Sequence, residues 1–251
     1  MTRLPDSFLA GPIAHRGLHD RADGRPENSL AAFRAAIALG VGIELDVQPS
    51  AEGTAMVFHD DTLDRLTAAT GPIAARPKAE LSALPLTGGR EGIPTLDKVL
   101  TLVAGQVPLL IEIKDQDGDM GPDVGRLERD VARALDGYAG DVALMSFNPH
   151  SVAALARLCP SRARGLVTSA YEARHWPDLS ETTRTHLREI PDLDRVAAGF
   201  ISHEVAALTM PRVAEIKRAG LPVLCWTVRS RAQEAQARQI ADTVTFEGYL
   251  P

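Results

Sequence analysis

The chain has 251 residues, 45% of them hydrophobic and 24% charged, with a formal net charge of −6. That length can bury a full core and suits one α/β barrel, and the composition is that of an ordinary globular protein. The negative balance excludes a general nucleic-acid or anionic-membrane surface, so an anionic ligand would need a local cationic pocket.

In chain order, "PIAHRG" (12–17) predicts a strand ending in a glycine turn. "SLAAFRAAIALG" (29–40) places Leu30, Phe33 and Ile37 at helical spacing before a glycine stop. "VGIELDV" (41–47) predicts a second strand, and "TAMVFHD" (54–60), across the turn-like "PSAEG", predicts a hairpin arm paired with it. Residues 61–94, rich in Gly and Pro, read as a long irregular stretch, and a loop of that length in a compact domain is usually functional. "IPTLDKVLTLV" (93–103) predicts a helix with Thr95 as N-cap.

"VPLLIEIK" (107–114) is a third apolar strand, followed by a helix through 123–138. Strands at "DVALMSF" (141–147), "ARGLVTS" (163–169), "AAGFISHE" (197–204), "LPVLCWTV" (221–228) and "ADTVTFE" (241–247) complete the set. Helices are expected at 149–158, 210–219 and 230–239, while the polar segment 170–196 has no assignment. Setting the hairpin arm aside, eight strands alternate with helices, and their apolar runs suit strands buried on both faces. The expected fold is a (βα)8 TIM barrel in a single domain, 1–251, with a small insertion at about 61–94 after the second strand. No room remains for a helix after the last strand, and residues 1–10 are available to cover that gap.

Cys159 and Cys225 form neither a CxxC pair nor a disulfide framework. The N-terminus lacks the apolar core of a signal peptide, and no apolar run reaches the ~18 residues needed to span a bilayer. A cytoplasmic protein is the expectation.

Active sites of such barrels lie at the C-terminal ends of the strands, and polar residues collect there. His15 and Arg16 end the first strand, Glu44 and Asp46 sit in the second, His59 ends the hairpin arm, Glu112 and Lys114 end the third, and Trp226 lies in the seventh. Glu44 and Asp46, two apart, point to one face, as do Glu112 and Lys114 on the neighbouring strand. Three carboxylates can therefore converge, and oxygen donors alone suit Mg²⁺ or Ca²⁺ rather than zinc. Lys114 is one of only four lysines. A lone acid on a strand is more often half of a structural pair, and a lone histidine is more often a satisfied core residue. A third acid and a second histidine shift the balance towards a cation site and an acid/base pair, His15 with His59. His19, His150, His175, His186 and His203 lack such company and read as surface or structural. Asn28 and Ser29 open a helix, with capping as their ordinary role.

The strings "AHRG", "PENS", "IELDVQ", "VFHDDTLDRLT", "IPTLDKVL", "LLIEIK" and "CWTV" resemble, in order, the motifs of the glycerophosphodiester phosphodiesterases. The resemblance runs from about residue 12 to 228. It implies a TIM barrel that hydrolyses glycerophosphodiesters to glycerol 3-phosphate and an alcohol with one divalent cation, Mg²⁺ or Ca²⁺. Carried over by motif, Glu44, Asp46 and Glu112 are the metal ligands and His15 and His59 the acid/base histidines. Arg16 and Lys114 hold the phosphate, Glu27 supports the site, and Trp226 belongs to the substrate side. The sequence departs from the family pattern at Arg229, where an asparagine is common, and in the ending "VTFEGYLP"; both bear on the alcohol side of the pocket. Partners are then a small-molecule glycerophosphodiester, without nucleic acid or stable membrane association. Rival readings are a phospholipase D-like enzyme acting on lysophospholipids, a non-catalytic binding protein on the same barrel, and an isomerase-type sugar-phosphate barrel. The 61–94 stretch has no aromatic residue to grip lipid, no catalytic residue is missing, and no late Gly-rich phosphate loop is present.

Overall fold

A computed structural model of the protein describes residues 2–251. Its nine strands are β1 (Ile13–Ala14), β2 (Gly42–Pro49), β3 (Ala55–Val57), β4 (Leu109–Ile113), β5 (Val142–Ser146), β6 (Ala163–Thr168), β7 (Phe200–Glu204), β8 (Val223–Val228) and β9 (Thr243–Phe246). The helices are α1 (Leu30–Leu39), α2 (Lys78–Ala83), α3 (Leu96–Val103), α4 (Arg126–Ala134), α5 (Pro149–Leu158), α6 (Glu181–Arg188), α7 (Pro211–Arg218) and α8 (Arg231–Ala237). The strand order β1-β9-β8-β7-β6-β5-β4-β2 closes through a β1–β2 pairing, which makes an eight-stranded parallel barrel. β3 pairs antiparallel with β2 outside the ring, as the hairpin pattern predicts. All five residues of β4 are buried, the burial pattern of a strand covered on both faces.

The chain divides into two compact units. One comprises Ile13–Lys114 and Arg126–Val142. Within it, α1 starts at Ser29, whose hydroxyl accepts from the Ala32 amide at 3.1 Å, and stops at Gly40 with φ +75°. Thr95 caps α3 as expected, accepting from the Lys98 amide. The 61–94 stretch is more ordered than its Gly/Pro content suggests. It carries α2 and its own core, in which Leu63, Leu66, Ile73, Leu81, Leu86 and Ile93 pack on Met56 and Phe58. Those apolar residues follow no single period, so their common burial is invisible to a pattern search.

The second unit comprises the N-terminal segment up to Pro12 with Asp115–Gly125 and Ala143–Pro251. Its core joins Val152, Leu166, Ile201, Val213, Val223 and Val244. The segment 170–196 contains α6, capped by Ser180. Leu4 and Phe8 are buried, and Thr2 Oγ1 donates to the Pro160 carbonyl at 2.9 Å. The N-terminal segment therefore packs beside the entries to β7 and β8, where Leu4 and Leu9 line a cavity with Gly199, Leu221 and Pro222. Among the described residues no helix is long and apolar enough to cross a membrane.

Candidate active site

The unit containing β1–β4 holds every candidate site residue except Trp226. Asp46 on β2 is in register with Glu112 on β4, and Glu44 lies two residues before Asp46 on the same face. One carboxylate oxygen from each of Glu44, Asp46 and Glu112 lies within 4.8 Å of the others, and all three residues are buried. Lys114 Nζ reaches Asp46 Oδ1 at 2.7 Å and Glu112 Oε1 at 2.6 Å. Arg16 takes the left-handed conformation (φ 54°), and its backbone N–H donates to Glu44 Oε2 at 2.9 Å. Its guanidinium donates to Glu27 Oε1 at 2.6 Å and approaches Asp46 Oδ2 at 3.5 Å. Gly17, also left-handed at φ +79°, packs so closely that a Cβ would meet Phe33 Cδ1 at 2.9 Å, which explains the glycine of the turn.

These contacts separate the acids electrically. Burial, then repulsion from Asp46 and Glu112, pushes the Glu44 carboxyl well above its usual range. Burial acts the same way on Asp46, but Lys114, His59 and Arg16 outweigh it and hold that carboxyl far below its usual range. Burial would lower the Lys114 ammonium, and Asp46 with Glu112 overcome this and raise it. Three carboxylates thus face Lys114 and part of the charge of Arg16, and Glu44 is left short of positive charge. An all-oxygen donor set with that deficit fits a hard divalent cation.

His59 follows the hairpin arm, half-buried, with its carbonyl accepting from Gln48 Nε2 at 3.3 Å. Its Nδ1 is 2.7 Å from Asp60 Oδ1. His15 follows β1 and is likewise half-buried.

Three residues of this network carry roles that sequence reasoning missed. Asn28, read as a cap, leaves capping to Ser29. It is fully buried with φ 56°, its Nδ2 donates to Asp46 Oδ2 at 2.9 Å, and its Oδ1 accepts from the Asp46 amide at 3.3 Å. Arg65 forks between two acids, donating to Asp60 at 2.7 and 2.8 Å and to Glu27 at 2.8 and 2.9 Å. Asp60 thereby joins His59 to Arg65, and Glu27 joins Arg65 to Arg16. The only sequence signal was the run of acids beside His59.

Trp226 lies in the other unit, on β8, half-buried, with Nε1–H donating to the Ser202 carbonyl at 3.0 Å. His203 of β7 is fully buried and structural: it contacts Thr168 Oγ1 at 2.8 Å and the Ala207 carbonyl at 3.2 Å.

The profile of the "Glycerophosphoryl diester phosphodiesterase family" matches residues 15–245. The Bacillus subtilis protein named "Putative glycerophosphodiester phosphodiesterase YhdW" is 29% identical over 93% of each chain. A glycerophosphodiester phosphodiesterase of Caldanaerobacter subterraneus is 33% identical over 65% of this chain and 69% of its own. Among solved structures, a phosphodiesterase of Oleispira antarctica in complex with its product sn-glycerol-3-phosphate aligns with TM-score 0.78 and 26% identity, covering 96% of this chain and 94% of that one. The match covers residues of both units and all of the candidate acids, lysine and histidines, and the chain belongs to the glycerophosphoryl diester phosphodiesterase family.

Proposed function

We propose that this chain hydrolyses glycerophosphodiesters to glycerol 3-phosphate and an alcohol, using a divalent cation at Glu44, Asp46 and Glu112 and proton exchange by His15 and His59. Family membership makes it a phosphoric diester hydrolase. The observation that carries the finer reading is the buried trio of carboxylates with oxygens within 4.8 Å of one another, a cluster otherwise costly to bury. The product named in the Oleispira complex, sn-glycerol-3-phosphate, is the product expected here.

A phosphodiester resists nucleophiles because its negative charge repels them. A divalent cation at the trio would supply Lewis-acid withdrawal of that charge. Arg16 and Lys114 sit against the same acids and would neutralise the remaining phosphoryl charge. With Nδ1 of His59 committed to Asp60, Nε2 is the nitrogen that exchanges a proton with substrate. One histidine takes a proton from the attacking oxygen, of water or of the substrate's own glycerol hydroxyl, and the other returns one to the leaving alkoxide. We read the chain as one functional domain with an insertion at about 61–94. The two buried, free cysteines fit a cytoplasmic setting.

Turnover of glycerophosphodiesters with choline, ethanolamine, glycerol and inositol head groups tests this, with Mg²⁺, with Ca²⁺ and with EDTA. His15→Ala and His59→Ala should each lose roughly 10²–10⁴-fold, and EDTA should abolish turnover until metal is restored. Full activity in EDTA removes the metal from the mechanism. Near-normal turnover by both variants removes the histidines.

A further inference from the structure

The 61–94 stretch meets the loop before α1 at a bare hairpin tip. Its segment Leu86–Glu91 turns tightly: the Leu86 amide donates to the Glu91 carbonyl at 3.1 Å, the Gly89 amide donates to the Leu86 carbonyl at 2.9 Å, and Pro85 bridges to Gly92. The hairpin is held from two sides. Leu86 belongs to the core of the 61–94 stretch, and the Thr87 amide donates to the Leu66 carbonyl at 2.7 Å. From α1, both Nη atoms of Arg34 donate to Glu91 Oε1 at 3.0 Å.

The tip lies against the loop that carries Glu27 and Asn28. That loop closes where the Asn28 amide donates to the Arg16 carbonyl at 2.9 Å, and it folds on itself through two bonds between Asp20 and Arg25, at 2.8 and 3.0 Å. A Cβ at Gly88 (φ +87°) would meet Arg21 Cγ at 2.6 Å, and a Cβ at Gly89 would meet Pro26 Cγ at 2.8 Å and Cδ at 3.0 Å. The two contacts differ in consequence. Arg21 is exposed and its side chain can swing into solvent, whereas Pro26 is buried. The Pro26 ring is bonded to the backbone at both ends, so it moves only with the main chain. Glu27 and Asn28 follow at once. Glu27 accepts from Arg16 at 2.6 Å, and Asn28 donates to Asp46 at 2.9 Å. A displacement at Pro26 therefore reaches the carboxylate that orients Arg16 and the amide that orients Asp46.

We propose that Gly89 is a positioning residue: the hairpin tip is the template against which Pro26 sets Glu27 and Asn28, and through them Arg16 and Asp46. The effect on turnover rests on the reaction proposed above; the effect on Asp46 is read separately, by metal binding.

Ordinary contact begins near 3.4 Å, so alanine at 89 drives the Pro26 ring back by about 0.6 Å. A misplacement of about 1 Å costs about 10²-fold, so Gly89→Ala should lose about tenfold in kcat on glycerophosphoglycerol. Mg²⁺ binding, read by calorimetry, should weaken about three- to tenfold. Pro26→Ala removes Cγ and Cδ, and in that background Gly89→Ala should cost less than about twofold in either measure. Gly71→Ala is the control. Gly71 is left-handed at φ +86° in the same stretch, with nothing within 4 Å of its Cβ position. That variant should lower the urea midpoint and leave kcat and Mg²⁺ affinity within about twofold of the parent.

An equal cost of Gly89→Ala with and without the Pro26 ring overturns the proposal, as does an equal loss of kcat from Gly71→Ala. Should Gly89→Ala fail to fold, its combination with Pro26→Ala should fold, and failure of both also overturns it. A loss of Mg²⁺ affinity that disappears with the Pro26 ring, in a chain that turns over no diester, would overturn the proposed reaction and leave the positioning role standing.

Discussion

Arg65→Ala removes the guanidinium that ties the two halves of the polar network together. Arg65 makes four bonds of 2.7–2.9 Å to Asp60 and Glu27. Beyond those acids lie His59, 2.7 Å from Asp60, and Arg16, 2.6 Å from Glu27. The Arg65 side chain is 47% exposed, so its two ion pairs are discounted to the surface range of about 0.5–1 kcal/mol each, and the variant should lose about 1–2 kcal/mol of stability. The larger effect is on rate. Without the fork, among the described residues Asp60 is held only by His59 and Glu27 only by Arg16, and a misplacement of about 1 Å in a catalytic group costs about 10²-fold. The expected loss in kcat is therefore about 10- to 10²-fold, with KM rising less, since Arg16 keeps its own bond to Glu27. Steady-state kinetics on a glycerophosphodiester, paired with urea denaturation, separates the two effects. Added guanidinium ion should restore part of the Arg65→Ala activity, and Arg65→Lys should recover little, because an ammonium has three donors on one atom and cannot reproduce four bonds of a planar fork. A kcat for Arg65→Ala within about twofold of the parent would refute the positioning role, and full recovery by lysine would reduce the role to charge alone.

Asn28→Ala strips Asp46 of two hydrogen bonds and puts alanine at φ 56°. The expected cost is about 2–4 kcal/mol in urea denaturation, with Mg²⁺ or Ca²⁺ binding, read by calorimetry, weakened about 10- to 10²-fold. Unchanged metal affinity would separate Asn28 from the acidic trio. His203 gives a pH dependence: burial lowers it to about 4 against the opposing Ala207 carbonyl, from an ordinary 6.5. Its folded-state value lies below its unfolded one, so the unfolded chain binds the proton first. Its contribution is complete above pH 6.5 and is lost as pH falls from 6.5 towards 4, by up to about 3 kcal/mol. Chemical denaturation at stepped pH should show a shallower slope in that window for His203→Gln than for the parent; equal slopes would mean that His203 is not buried neutral.

Much of the chemistry was legible before any fold was known. Alternation at i, i+2 placed Glu44 with Asp46 and Glu112 with Lys114 on single faces, because the pleat of a strand is a local property. The apolar runs and glycine stops marked the strands and most helices for the same reason, and Thr95 was recognisable as a cap from its neighbours alone. Residues 61–94 and 170–196 were not legible. Their apolar residues are buried by long-range packing, and their helices, α2 and α6, are only six and eight residues long.

Asn28 shows where local reading fails. As a residue before a helix it had a sufficient local role, and only the approach of β2 turns its amide onto Asp46. Arg65 had no local reading at all, since its partners Glu27 and Asp60 lie 38 and 5 residues away. The aromatic rings of Phe147, Trp176 and Trp226 come from segments far apart in the chain and meet only in the fold. The sequence by itself determined which side chains share a strand face and which chemistry they can perform, because neighbours along a chain have fixed geometry. The tertiary structure alone decided which acid each cation neutralises and which side chains hold the reactive groups in place. Those distances depend on strand register and loop closure, which no span of sequence encodes on its own.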